Sequence, residues 1–73
     1  MEKTLNISLN YDEKASVWIA ESDDVPGLVL ESGSLDALIE RVKMAVPELL
    51  ELNGINERIM LSLNATRVVA AYG

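Results

Sequence analysis

The sequence predicts a small α+β domain in which strands follow one another in the order β-β-β-α-β, forming an antiparallel sheet with a single helix packed on one face. Three observations predict it: alternation of apolar and polar residues at Leu5–Asn10, a long apolar stripe at three-to-four spacing from Leu35 to Leu50, and a return to alternation at Arg58–Asn64. The chain has 73 residues, room for one modest core, so residues 1–73 are read as a single domain.

In the first strand Leu5, Ile7 and Leu9 alternate with Asn6, Ser8 and Asn10, which gives one buried and one wet face. Tyr11-Asp12-Glu13-Lys14 is polar and short enough to turn the chain into an antiparallel hairpin with a second strand, Ala15 to Ala20. Both faces of that strand carry apolar groups. If Trp18 faces the helix, Val17 and Ile19 lie outside; the reverse arrangement exposes Trp18. Glu21-Ser22-Asp23-Asp24 ends the strand, and Val25-Pro26-Gly27 makes a rigid bend in which proline fixes its own φ and glycine permits a positive one. A brief third strand follows over Gly27–Ser32.

Ser34 reads as the helix N-cap, with Asp36 in the first turn where a negative charge suits the helix dipole. Leu35, Leu38, Ile39, Val42, Ala45, Val46, Leu49 and Leu50 form the stripe that covers the sheet, and Asn53-Gly54 reads as its stop. Pro47 falls inside the pattern and predicts a kink or break near Ala45-Val46. In the fourth strand, Arg58–Asn64, the inward set is Ile59, Leu61 and Leu63. The tail Val68-Val69-Ala70-Ala71-Tyr72 is apolar, and it reads equally as a last strand of its own sheet or as a strand added to a neighbouring subunit.

Composition narrows the function. The chain has neither cysteine nor histidine, which removes thiolate nucleophiles, imidazole bases and every sulfur or imidazole metal ligand; no enzymatic activity, cofactor or metal is expected. The four glycines form no phosphate-binding motif. No apolar run is long enough to span a membrane and no signal peptide is visible, so a cytoplasmic protein is expected. Of the net charge of −6, residues 1–33 carry −5, with seven acids against Lys3 and Lys14. Such a surface repels nucleic-acid backbones and attracts basic partners. With no disulfide to reinforce a thin core, association with another chain is favoured. The remaining candidate for chemistry is the acidic set Asp12, Asp23 and Asp24, which would suit a divalent-metal nuclease remnant through oxygen ligands, although no spaced calcium-loop pattern is present.

The segment Val17-Trp18-Ile19-Ala20-Glu21-Ser22-Asp23-Asp24-Val25-Pro26-Gly27-Leu28, with Glu31-Ser32-Gly33-Ser34-Leu35-Asp36-Ala37-Leu38 after it, resembles HicB-like antitoxin domains. Together with Pro47-Glu48-Leu49-Leu50-Glu51-Leu52-Asn53-Gly54 it is similar to the short, stand-alone branch of that group, a bacterial family of unknown function. The resemblance covers most of residues 4–65. It implies a partial ribonuclease-H-like fold without ribonuclease-H chemistry, often assembled as homodimers or higher oligomers. Longer members of the group bind and neutralise a small basic toxin that cuts messenger RNA, and they carry a DNA-binding segment after the domain. Nine residues follow Asn64 here, too few for a helix-turn-helix or ribbon-helix-helix, so direct DNA binding is not expected. Asp24, Pro26 and Gly27 match the family turn and Ser34 its helix cap. If a basic toxin is the partner, Glu21, Asp23 and Asp24 would steer it and Trp18 would anchor it. For self-association, the expected interface residues are Trp18, Val68, Val69 and Tyr72. The leading expectation is therefore a non-enzymatic, self-associating interaction domain, with antitoxin function as the alternative.

Overall fold

A computed structural model describes residues 2–52, 54 and 58–72. Its elements are β1 (Glu2–Asp12), β2 (Val17–Glu21), β3 (Val29–Ser32), α1 (Leu35–Leu52) and β4 (Arg58–Thr66), the β-β-β-α-β order expected from periodicity. The sheet order is β3-β2-β1-β4. β1 and β2 pair antiparallel, as do β2 and β3, but β4 lies parallel to β1 from Glu2↔Arg58 to Asn10↔Thr66. The expected all-antiparallel sheet is thus a mixed one. The reason is the helix: a hairpin reverses a strand, whereas an 18-residue helical connection carries the chain across the sheet and returns it in the direction of β3.

Register determines the faces. Leu9 stands opposite Ala20, and Ala20 opposite Leu30, so these residues share the helix side with Leu5 and Ile7. Tyr11↔Trp18↔Ser32 lies on that side too, which leaves Val17 and Ile19 on the outer face with Asn10, Asp12 and Glu31. Leu38, Val42, Val46 and Leu50, one every four residues, form the buried ridge of α1 and meet Leu5, Ile7, Leu9 and Ala20 in the core, with Val25 and Leu28 from the loop before β3. At about 1.5–3 kcal/mol per fully buried aliphatic side chain, this ridge holds the helix to the sheet.

Several boundaries differ from the sequence reading: β1 starts at Glu2 rather than Leu5, and β4 runs on to Thr66 rather than ending at Asn64. β1 continues through Tyr11 and Asp12, and β2 begins at Val17 rather than Ala15, because the Asp12 carboxylate accepts the N–H groups of Lys14 (3.0 Å) and Ala15 (3.2 Å). That side-chain turn, with Ser16 at φ 55°, uses Glu13–Ser16 as the hairpin connection. β3 begins at Val29 rather than Gly27, since Gly27 is still inside the preceding turn.

Pro47 does not break the helix, which runs unbroken from Leu35 to Leu52. Lacking an N–H, Pro47 leaves the carbonyl of Lys43 without its helical donor, yet Val42 and Val46 before it and Leu50 after it are all buried on the same sheet. Packing on both sides outweighs a local loss of about 3 kcal/mol. The helix starts as expected: Ser34 Oγ accepts the Ala37 N–H (3.2 Å), and the Ser34 carbonyl accepts the Leu38 N–H (3.0 Å). At its other end Gly54 has φ 77° and donates to the Glu51 carbonyl; Asn53, the other half of the expected stop, lies outside the described residues.

Candidate functional site

The acidic turn is built by backbone groups that run out of strand. Pairing of β1 with β2 ends at Ser8↔Glu21, leaving the backbone of Asn6 without a strand partner on that side. Two side chains replace the strand. Asp24 Oδ2 accepts the Asn6 N–H at 2.8 Å, and Ser22 Oγ donates to the Asn6 carbonyl while accepting the Asp24 N–H at 3.0 Å. Beyond them the Leu28 N–H donates to the Val25 carbonyl (3.2 Å) across Pro26 and Gly27, with Gly27 at φ 87°, the arrangement of a type II turn. Val25 and Leu28, the ends of the turn, are buried and pin it to the core. Asp24, Pro26 and Gly27 therefore serve architecture.

Glu21 and Asp23 are exposed and, with Ser8, Asn10 and Ser22, line a shallow polar hollow of about 230 Å³. Among the described residues no group of three or more acidic side chains converges to hold a metal ion. Of the three acids considered for a metal, Asp12 and Asp24 each accept backbone N–H groups in separate turns.

Trp18 is half-buried on the helix side and packs against the core. Its ring meets Tyr11 edge-on, centroids 5.3 Å apart at 66°, and the Arg67 guanidinium lies 3.8 Å above the Tyr11 ring while its Nε sits 3.6 Å from Glu13 Oε1. Alternation places Glu21 on the opposite face from Trp18. The proposed anchor and the steering acids thus do not form one patch; Trp18 belongs with Tyr11 and Arg67, at the end of the sheet where the tail departs.

The third feature was not legible as a site in the sequence. α1 lies closest to β2 and β3, so the inward row of β4, Ile59, Leu61 and Leu63, is only half-buried. Between them and Lys43, Val46 and Pro47 of the helix runs an apolar groove of about 390 Å³, open along the edge of the sheet. The tail does not fill it: Val68, Val69 and Tyr72 are 83%, 65% and 95% exposed and belong to no strand. The signal that pointed towards this region was the tail's apolar composition; the groove itself depends on where the helix lies.

Residues 4–71 match the model of a family described as a domain of unknown function, DUF1902. The structure resembles the crystal structure of a hypothetical protein from the extremely thermophilic bacterium Thermus thermophilus, at a TM-score of 0.80 and 44% identity, over 93% of this chain and 99% of that one. No curated protein shows significant similarity to the chain. The chain belongs to the DUF1902 family.

Proposed function

Starting from membership of a family whose function is undescribed, we propose that this chain is a non-enzymatic protein-interaction domain that associates with copies of itself. One observation carries the reading: the exposed apolar tail Val68–Tyr72 occurs in the same molecule as an apolar groove beneath an unpaired sheet edge. Exposed Val29 and Met60, on the outer face, add to the apolar surface awaiting cover. Absence of histidine and cysteine from the sequence supports a binding role over a catalytic one. Among the described residues no helix is long and apolar enough to cross a membrane. The proposed setting for its association is the cytoplasm. Light scattering coupled to size exclusion, at micromolar protein and two salt concentrations, tests the reading. A stable dimer or larger species is expected, little affected by salt because the contact is apolar; a monomer at every concentration overturns it.

A second reading is favoured by the exposed pair Glu21 and Asp23: antitoxin-like binding of a small basic RNA-cleaving protein, as the HicB resemblance implies. Opposite charge at a rim accelerates encounter and selects partners. Reversing Glu21 and Asp23 together to lysine, while leaving Asp24 to hold its turn, is expected to weaken binding of such a toxin at least roughly tenfold at low salt. Equal affinity of the variant removes this reading.

A further inference from the structure

The self-association proposed above leaves open which surfaces meet, and the strand geometry narrows the choice. Among the described residues β4 is an edge strand of nine residues, paired to β1 on one side. Extended in the line of β4 at about 3.3 Å each, the fifteen residues from Arg58 to Tyr72 would span about 50 Å, which matches the 50 Å long dimension of a molecule only 20 and 19 Å across. Its radius of gyration, 13.8 Å, exceeds the value of about 11 Å usual for this chain length, so the molecule is elongated.

The tail is badly placed to cover its own groove. To do so it would have to reverse between Asn64 and Val68, where Ala65 and Thr66 are paired to Leu9 and Asn10 and Arg67 is stacked on Tyr11. No glycine or proline lies between Gly54 and Gly73 to make that turn. A second copy has the complementary edge at no such cost. Charge permits the approach: in a chain of net charge −6, residues 58–72 contain no aspartate or glutamate.

We propose that two copies pair antiparallel along their β4 edges, about a two-fold axis perpendicular to the sheet, so that the tail Val68–Tyr72 of each lies beside the partner's β4 and closes the groove under α1. Symmetry restricts the register. Opposed residues in an antiparallel pair share a face, and this axis keeps each residue on its own face, so odd positions can only oppose odd ones. Ile59, Leu61 and Leu63 face the helix; continued alternation puts Val69 and Ala71 on that side too, after Arg67 above Tyr11. With Ala65 on the axis, Tyr72 meets Arg58. Val69 then lies against Leu61 and Ala71 against Ile59, inside the groove. Each tail hides on the order of 400 Å², and counting the surface each covers, the exchange of both buries roughly 1,600 Å², the size of a standard stable interface. Because the contact is isologous it closes on two copies and leaves no β4 edge for further addition.

The test uses the absence of native cysteine. Ala65→Cys, beside its own symmetry mate, is expected to give a disulfide-linked dimer under mild oxidation, whereas Val29→Cys, also exposed but on the far edge strand, is not. In parallel, Val69→Asp should raise the dimer dissociation constant at least roughly 30-fold, as loss of a central contact does, with the circular dichroism of the monomer unchanged because Val69 is exposed there. A wild-type dimer that survives Val69→Asp, or that cross-links at residue 29 and not at 65, overturns this arrangement and leaves self-association standing. A wild-type monomer overturns both. Growth into open polymers with rising concentration overturns the two-fold closure.

Discussion

Asp23 and Asp24 are adjacent acids in one exposed turn, and the structure assigns them opposite consequences. Asp24→Ala removes the oxygen that accepts the Asn6 N–H at 2.8 Å and loosens the Ser22 hydroxyl that satisfies the Asn6 carbonyl. A hydrogen bond to a charged group contributes about 1.5–3 kcal/mol, and exposure of this one brings the expected loss to about 1–2 kcal/mol. A domain of 73 residues has a total stability of about 4–11 kcal/mol, so the loss is a sizeable fraction. In urea unfolding, with an m-value of about 1 kcal/mol/M, the midpoint should fall by about 1–2 M. Asp24→Asn, which keeps an oxygen in place without its charge, should lose about half as much. Asp23→Ala should lie within about 0.5 kcal/mol of the parent, as exposed substitutions without partners do. All variants are compared at one protein concentration, because self-association raises apparent stability by mass action. Equal shifts for Asp23→Ala and Asp24→Ala, or a midpoint change under about 0.3 M for Asp24→Ala, would refute the assignment of Asp24 to the frame of the turn.

Pro47→Ala restores an N–H facing the Lys43 carbonyl in a helix already held together by packing, so thermal denaturation should show stabilisation of about 1–3 kcal/mol. Gly27→Ala places a Cβ only 3.8 Å from Leu49 Cδ2, an ordinary contact, so its destabilisation of about 1–2 kcal/mol arises from φ 87° alone; a second substitution, Leu49→Ala, should therefore not relieve it in the same denaturation assay. Leu38→Ala empties a fully buried position beneath the helix and should destabilise by about 2–5 kcal/mol, measured by denaturant unfolding, which is enough to leave the variant largely unfolded at physiological temperature if the parent lies near the low end of its range.

Local chemistry was legible in the sequence because it acts over a few residues. Alternation at Leu5–Leu9, the helical stripe ending at Leu50, the Ser34 cap and the Pro26-Gly27 bend each depend on neighbours within one turn or one pleat, and each is present in the structure. Where local preference met tertiary packing, packing prevailed: Pro47 stayed within a continuous helix because Val42, Val46 and Leu50 are buried on one sheet. The parallel placement of β4 had no local signature, since a strand's alternation is the same whichever way its neighbour runs. Nor could spacing show that Asp24 would meet Asn6, eighteen residues away, while Asp23 remained exposed. The sequence by itself determined which residues are apolar, which are charged and that histidine and cysteine chemistry is absent. Only the tertiary structure decided that Trp18 turns inward, that α1 leaves the β4 row half covered, and that the tail stays exposed outside any strand, because each depends on how elements remote in the chain lie against one another.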